Sequence, residues 1–160
     1  MQVREAHESE IDHLARLWYD SWQYGHADIV PVELKRDRTL ERLRERMRAS
    51  LPGVRVVGTI GEPLGFCTVR GDELYQLFVS AEGRGTGVAA ALIAEAEARL
   101  RESGVETAWL ACAIGNERAA RFYEKSGWRR VGTMVSDLQT AEGPFPLEVW
   151  RYEKDLAGHG

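Results

Sequence analysis

Apolar positions in the first fifty residues recur at helical spacing. Ile11, Leu14, Ala15, Trp18 and Trp22 fall on one face, which predicts a helix from about Ser9, with Ser9 placed to cap it and the short strand QVREA before it. The pattern breaks between Gly25 and Pro31. Leu40, Leu43, Met47 and Leu51 then mark a second amphipathic helix that ends before Pro52-Gly53. Its other face carries Arg38, Arg42, Arg44, Arg46 and Arg48 among Asp37, Glu41 and Glu45, the mixture expected of a solvated surface rather than of a nucleic-acid or membrane patch.

From Val54 the period changes to two. VRVVGTI, a Gly61-Glu62-Pro63 turn, LGFCTVR, a Gly71-Asp72 turn and ELYQLFV read as three consecutive antiparallel strands. A glycine-rich loop follows, then a helix from about Gly87 to Ser103 closed by Gly104, the strand VETAWLACA, and a helix from about Asn116 to Ser126 closed by Gly127. Two strands near WRRVGTMV and PLEVWRYEK complete the order βααβββαβαββ. This is an α/β chain with a mixed, mostly antiparallel central sheet and one βαβ crossover at the glycine loop. A single domain over residues 1–156 and a flexible tail over 157–160 are expected.

A chain of 160 residues with 44% hydrophobic content suits one compact core. No apolar run is long enough to span a membrane and MQVREAHESE is charged, so a cytoplasmic protein without membrane contact is expected. The net charge of −4 speaks against general nucleic-acid binding and leaves room for a local basic pocket. Cys67 and Cys112 both sit in apolar strand-like stretches, which predicts buried thiols, no disulfide and no metal site.

The loop VSAEGRGTGVAAALI places Gly83, Gly85 and Gly87 within five residues. One glycine there would only shape a turn; three make room for something against the backbone. Gly85 to Ala90 fits G-x-G-x-x-A, but the dinucleotide fingerprint also expects an acid at the end of the next strand, and VETAWLACA ends in Ala113. A Walker-type loop is excluded because no Lys-Ser or Lys-Thr follows. The remaining reading is R-x-x-G-x-A at Arg84 to Ala89, with amides and a helix dipole aimed at a diphosphate such as that of coenzyme A.

With that loop, the strand ELYQLFV before it and the segment GNERAARFYEKSGW from Gly115 to Trp128, the chain resembles the GNAT superfamily of N-acetyltransferases. The resemblance implies acetyl-CoA as co-substrate, held in an opening between the strand ending near Val79 and the strand before Ala113. Backbone groups of Phe78 and Val79 would pair with the pantetheine arm, and Arg84, Gly85, Thr86, Gly87, Val88 and Ala89 would hold the pyrophosphate. Asn116, an N-cap by its position, and Tyr123 lie seven residues apart on nearly one helix face and would line the same groove. Arg121 and Lys125 are candidates for the 3′-phosphate.

Acetyl transfer to an amine poses two proton problems. An alkylamine with a pKa near ~10.4 is neutral at pH 7 only at a cost of about 4.6 kcal/mol, which a base or a desolvated site must offset. The departing thiolate needs a hydrogen-bond or proton donor, and Tyr123 is the candidate. Glu73, sharing a strand face with Tyr75, Leu77 and Val79, is the candidate base, and His26 is its rival. Trp22, Tyr24, His26 and Tyr75 are expected at the acceptor side, where DSWQYGHADIVP and the loop DLQTAEGPFP would set specificity. The expected activity is direct transfer to a small-molecule primary amine in a ternary complex, with homodimerisation open. The alternatives are a protein or peptide acceptor, or a coenzyme A-binding module without turnover.

Overall fold

The computed structural model describes residues 1–26 and 28–157. In order these form β1 (Val3–Glu5), α1 (Ile11–His26), α2 (Val32–Asp37), α3 (Leu40–Ser50), β2 (Arg55–Val57), β3 (Gly65–Arg70), β4 (Glu73–Val79), α4 (Val88–Glu102), β5 (Thr107–Ala113), α5 (Glu117–Lys125), β6 (Arg129–Thr140) and β7 (Gly143–Asp155). One seven-stranded sheet runs β1-β2-β3-β4-β5-β7-β6. Every pairing is antiparallel except β4 with β5, the crossover carried by α4.

Several local expectations are revised. His7, not Ser9, caps the first helical segment, because its ring accepts from the Ser9 amide while the Glu10 carboxylate takes the His7 amide in return. Helix α1 continues through Gly25 to His26, and α2 is an additional element. Six residues with Leu34 as their one buried anchor leave no periodic signal. Much of the expected loop DLQTAEGPFP is strand, with Asp137 opposite Pro146 and Gln139 opposite Pro144. Proline fits there because β7 pairs with β5 only from Val149 onward, so the missing N–H need not face a neighbouring strand. At the C-terminus Ala157 still donates to the Glu106 carbonyl at 3.3 Å, and the rest of the expected tail lies outside the described residues.

The sheet separates two apolar layers. Leu92, Leu100, Leu110 and Trp128 anchor the layer under α4 and α5, whereas Leu14, Trp18, Leu43, Met47 and Phe66 anchor the one under α1 and α3. Both cysteines are buried free thiols in the first layer. Strand β4 contributes to both faces through a bulge. Thr68 pairs with Gln76 and Val69 with Leu74, so Tyr75 has no partner of its own. The extra residue shifts the alternation. Leu74, Leu77 and Val79 pack toward α4, while Phe78 packs with Trp18 and Phe66 on the other side. The expected shared face of Glu73, Tyr75, Leu77 and Val79 is therefore split at the bulge.

Where the first turn of α1 meets the sheet, Glu10 is fully buried. Its carboxylate accepts two bonds from Arg4, at 2.9 and 2.7 Å, and one each from the His7 and Gly61 amides at 2.8 and 3.0 Å. The Arg4 hydrogen bonds are the main cause that holds its pKa down at about 2. Removing one partner of such a pair leaves unpaired groups behind, so Glu10→Ala is expected to lower unfolding stability by about 3 kcal/mol in urea titrations at neutral pH. A depressed carboxylate stabilises above its unfolded pKa and loses that effect as pH falls through the folded one. The gap between wild type and variant should therefore shrink between pH 4.5 and about 2.

Candidate active site

Strands β4 and β5 are in register only at Glu73 and Trp109. Beyond that bridge they part, and a cleft of about 440 Å³ opens between them, from Tyr75 and Ala111 out to the glycine loop. Parting leaves main-chain groups without a strand partner. The β3–β4 ladder alternates, and Ser80 donates to Leu64, so Phe78 and Gln76 turn their main-chain groups to β3. Leu77 and Val79 turn theirs to the opening, where the Ser21 hydroxyl donates to the Val79 carbonyl at 3.0 Å. The backbone partners available along the opening are thus Leu77 and Val79; the expected backbone role of Phe78 is taken up by β3, and its ring lines the cleft instead.

At the wide end the glycine loop turns into α4. Gly85 and Gly87 have φ of 75° and 91°, the left-handed region that favours glycine, and Gly87 is the N-cap with no side chain over the helix end. A Cβ at Gly83 would come within 2.9 Å of the Leu64 carbonyl. The Arg84 and Thr86 amides close turns onto Ala81 and Gly83, and the Thr86 hydroxyl donates to the Gly83 carbonyl at 2.6 Å. These two residues shape the loop through their main chain rather than offering it to a ligand. Among the described residues the amides of Gly85, Gly87, Val88, Ala89 and Ala90 have no acceptor, and no acid sits in the first turn of α4. Val88 contributes its amide alone, since its side chain is buried in the core. Such a cluster of donors at a helix N-terminus fits an anion of the pyrophosphate kind.

The α5 side supplies the remaining wall. Asn116 caps the helix by accepting from the Ala119 amide at 3.4 Å and also faces the cleft, beside Gly25. Tyr123 is half-buried in the cleft wall near Tyr152, its hydroxyl without a hydrogen bond among the described residues, and burial raises its pKa above the usual tyrosine value. Arg118, not Arg121 or Lys125, is the basic residue of α5 that lines the cleft. It donates to the Tyr24 hydroxyl at 2.5 Å, while the Arg84 guanidinium lies 3.9 Å over the Tyr24 ring. Tyr24 thus belongs to the mouth of this cleft and is 61% exposed. Cys112 also lines the cleft, with its thiol pushed up to about 12 by burial, so it is a protonated wall group and not a nucleophile.

A second cavity of about 150 Å³ lies on the α1–α3 face and shares His26, Tyr75, Gln76, Phe78, Ala111 and Ala113 with the first. Trp22 and Glu73 line only this one. His26 stacks on Trp22 at 5.3 Å, and its Nδ1 must donate to the Trp22 carbonyl at 3.2 Å, which leaves Nε2 as an acceptor. Burial lowers its pKa to about 4, so the ring is neutral. Glu73 is 6% exposed, bonded to Arg70 at 3.1 Å, and raised in pKa by desolvation. Arg38 and Arg46 line this cavity too, and Arg38 is buried. The arginine face was expected to be solvated. Instead Arg38, which caps the end of α2 before α3 begins after its N-cap Thr39, and Arg46, next to the buried Met47 of α3, are turned inward.

Among the described residues no three His, Cys, Asp or Glu side chains gather as metal ligands, and no helix is long and apolar enough to cross a membrane. The model of the acetyltransferase (GNAT) family matches residues 11–128. An uncharacterized N-acetyltransferase of Mycobacterium tuberculosis is 33% identical over 116 residues, 70% of this chain and 72% of that protein. The peptidyl-lysine N-acetyltransferase YjaB of Escherichia coli is 25% identical over 92% of this chain and 93% of its own. The PaiA N-acetyltransferase of Thermoplasma acidophilum, solved in complex with coenzyme A, superposes with a TM-score of 0.66 at 19% identity, covering 96% of this chain and 98% of that one. The chain belongs to the GNAT acetyltransferase family and is an acetyl-CoA-dependent N-acetyltransferase.

Proposed function

We propose that the enzyme acetylates the primary amine of a small molecule by direct attack within a ternary complex. The observation that carries this reading is the junction of the two cavities, one large and amide-lined, the other smaller, with His26, Tyr75 and Phe78 among the residues they share. In this reading the pyrophosphate of acetyl-CoA sits on the free amides from Gly85 to Ala90 with Arg84 and Arg118 released toward it from Tyr24. The pantetheine pairs with Leu77 and Val79, and the thioester lies near the bulge. A small acceptor is favoured by the size of the second cavity. The peptidyl-lysine specificity in the name of the YjaB relative is the reading to be tested against it.

Glu73 takes the amine proton, and its raised pKa makes it a stronger base than an exposed carboxylate. His26 orients the amine by accepting from it at Nε2. A main-chain N–H of Leu77 or Val79 polarises the thioester carbonyl. Tyr123 donates to the departing sulfur. With an ordinary tyrosine pKa near ~10 against a thiol near ~8.5, full proton transfer is uphill by about 2 kcal/mol, and burial of Tyr123 increases that gap unless the thiolate is desolvated as well. Its contribution is therefore mainly a hydrogen bond that strengthens as charge develops. The Cys112 thiol, held protonated, supports direct transfer over an acyl-enzyme.

Release of free coenzyme A from acetyl-CoA across a panel of small amines and lysine peptides tests the reading. Turnover with peptides alone would move the acceptor to protein. Tyr123→Phe is expected to lower kcat about 100-fold, with the calorimetric Kd for coenzyme A held within about twofold; unchanged kcat would remove the donor role. The pH profile of kcat separates the two base candidates. A raised carboxyl is active above its folded pKa, so Glu73 sets an acid limb above pH 4.5 that disappears in Glu73→Gln. A limb near pH 4 that survives this substitution and disappears in His26→Gln would assign the proton to His26.

A further inference from the structure

The acceptor cavity has a cationic wall that acetyl transfer does not use. Arg38, 5% exposed, donates to the Asp37 carboxylate at 3.0 Å and to the Gln139 carbonyl at 2.8 Å, both through Nη1. Its Nε and Nη2 have no acceptor among the described residues, although the side chain lines the cavity. Arg46 donates through Nη2 to the Tyr75 hydroxyl at 3.1 Å, and its guanidinium lies 5.0 Å from the Trp18 ring. Its Nη1 is buried without any acceptor. A buried guanidinium N–H left unpaired is costly, and native structures rarely keep one without a ligand or water to fill it.

The nearby carboxylates do not neutralise this wall. Asp37 is shared between Arg38 and Arg42, at 3.0 and 3.6 Å, and its Oδ1 also accepts from the Ala141 amide. Glu73 is engaged by Arg70. Arg38 and Arg42 therefore share a single carboxylate, and Arg46 has no carboxylate partner among the described residues. Burial, then repulsion from Arg46, lowers the Arg38 pKa to about 10, as expected where cations crowd with too few partners. The cavity is also lined by the apolar residues Leu34, Leu138, Leu147 and Val149, and its volume of about 150 Å³ equals the liquid share of about five waters.

We infer that the acceptor is a small amine bearing a carboxylate, held at the cavity wall formed by the guanidinium groups of Arg38 and Arg46 while its aliphatic or aromatic body packs on the apolar lining. This rests on the proposed use of the second cavity for the acceptor. A carboxylate matches the two-donor fork of arginine. The amine then points to His26 and Tyr75, two of the residues common to both cavities. Arg46 is tied to the reaction end through its bond to Tyr75 at the bulge, so filling the anion site also fixes the bulge residue.

Binding and turnover are read separately. With coenzyme A present, the 4-methylpentanoate anion and its neutral amide are titrated calorimetrically against the wild type. The carboxylate should bind at least tenfold more tightly, Arg46→Gln should abolish the difference, and Arg46→Lys should restore part of it. Circular dichroism and an unchanged Kd for coenzyme A report that the variants are folded; if Arg46→Gln does not fold, the wild-type acid–amide comparison alone decides. Equal binding of acid and amide, or no binding of the acid, overturns the inference. In the turnover arm, matched ω-amino acids and ω-amino amides of two to six carbons are compared by coenzyme A release, and kcat/KM should favour the acids at least tenfold. Preference for the amides overturns the carboxylate site while leaving acetyl transfer to small amines intact. Absence of turnover with every amine, together with selective carboxylate binding, would sink the acceptor reading and keep the anion site.

Discussion

The enzyme depends on a sheet that holds together at one point and then comes apart. Between β4 and β5 the only register pair is Glu73 with Trp109. A parallel pair carried farther would satisfy the backbone and close the sheet; stopping after one bridge leaves Leu77 and Val79 with polar groups that must find something else. Ser21 meets one of them, the Val79 carbonyl. The rest become a ready-made third strand position for an extended ligand arm, and the same separation gives the helix end at Gly87 an unobstructed line into the gap. Cofactor cleft and anion-binding loop are thus consequences of one interruption in hydrogen bonding.

The bulge at Tyr75 extends that consequence through the sheet. Had β4 kept strict alternation through Tyr75, Leu74 and Leu77 could not both pack under α4, and Phe78 would not reach Trp18 and His26 on the opposite face. The bulge places Tyr75 and Gln76 where both cavities touch them. Two chambers that would otherwise be isolated by a continuous strand share a short common wall, the arrangement direct transfer between two bound substrates requires. Strain is not needed to explain it: no non-glycine residue among those described has positive φ.

Legibility in the sequence followed the range of the interactions involved. The glycine loop, α4 and the N-cap at Asn116 are set within a few residues and spacing located them, whereas the cleft-facing side of Tyr123 followed from the family resemblance of the segment around it. The bulge is a register event between two strands, invisible to a strict period of two in ELYQLFV, and it overturned the assumed face of Glu73 through Val79. Helix α2 has one buried side chain and no periodicity to read. The arginine stripe was visible as charge but was assigned to solvent, because nothing local announces that the tip of the β6–β7 hairpin folds back to take Arg38 and Asp37. Arg38 lies at the end of α2, outside α3, so no helical interval links it to Arg42 and Arg46, and the inward turn of Arg46 becomes readable only once Leu43 and Met47 fix which side of α3 is covered.

Desolvation connects these features to chemistry. The same burial lowers the His26 pKa and raises those of Glu73, Cys112 and Tyr123, in every case disfavouring the charged form. A site that penalises charge this consistently also penalises the ammonium form of an acceptor, so part of the work of neutralising the amine is done by entry into the cavity. Arg38 is the exception, a guanidinium that keeps its charge at neutral pH although burial lowers its pKa to about 10, and Arg46 lines the same cavity. An environment hostile to ions that nonetheless keeps two arginines in its wall would, in the proposed reading, discriminate between the two ends of a molecule. It favours a negative group at the arginine wall and a neutral one at His26, and so selects orientation by electrostatics before any contact with the thioester.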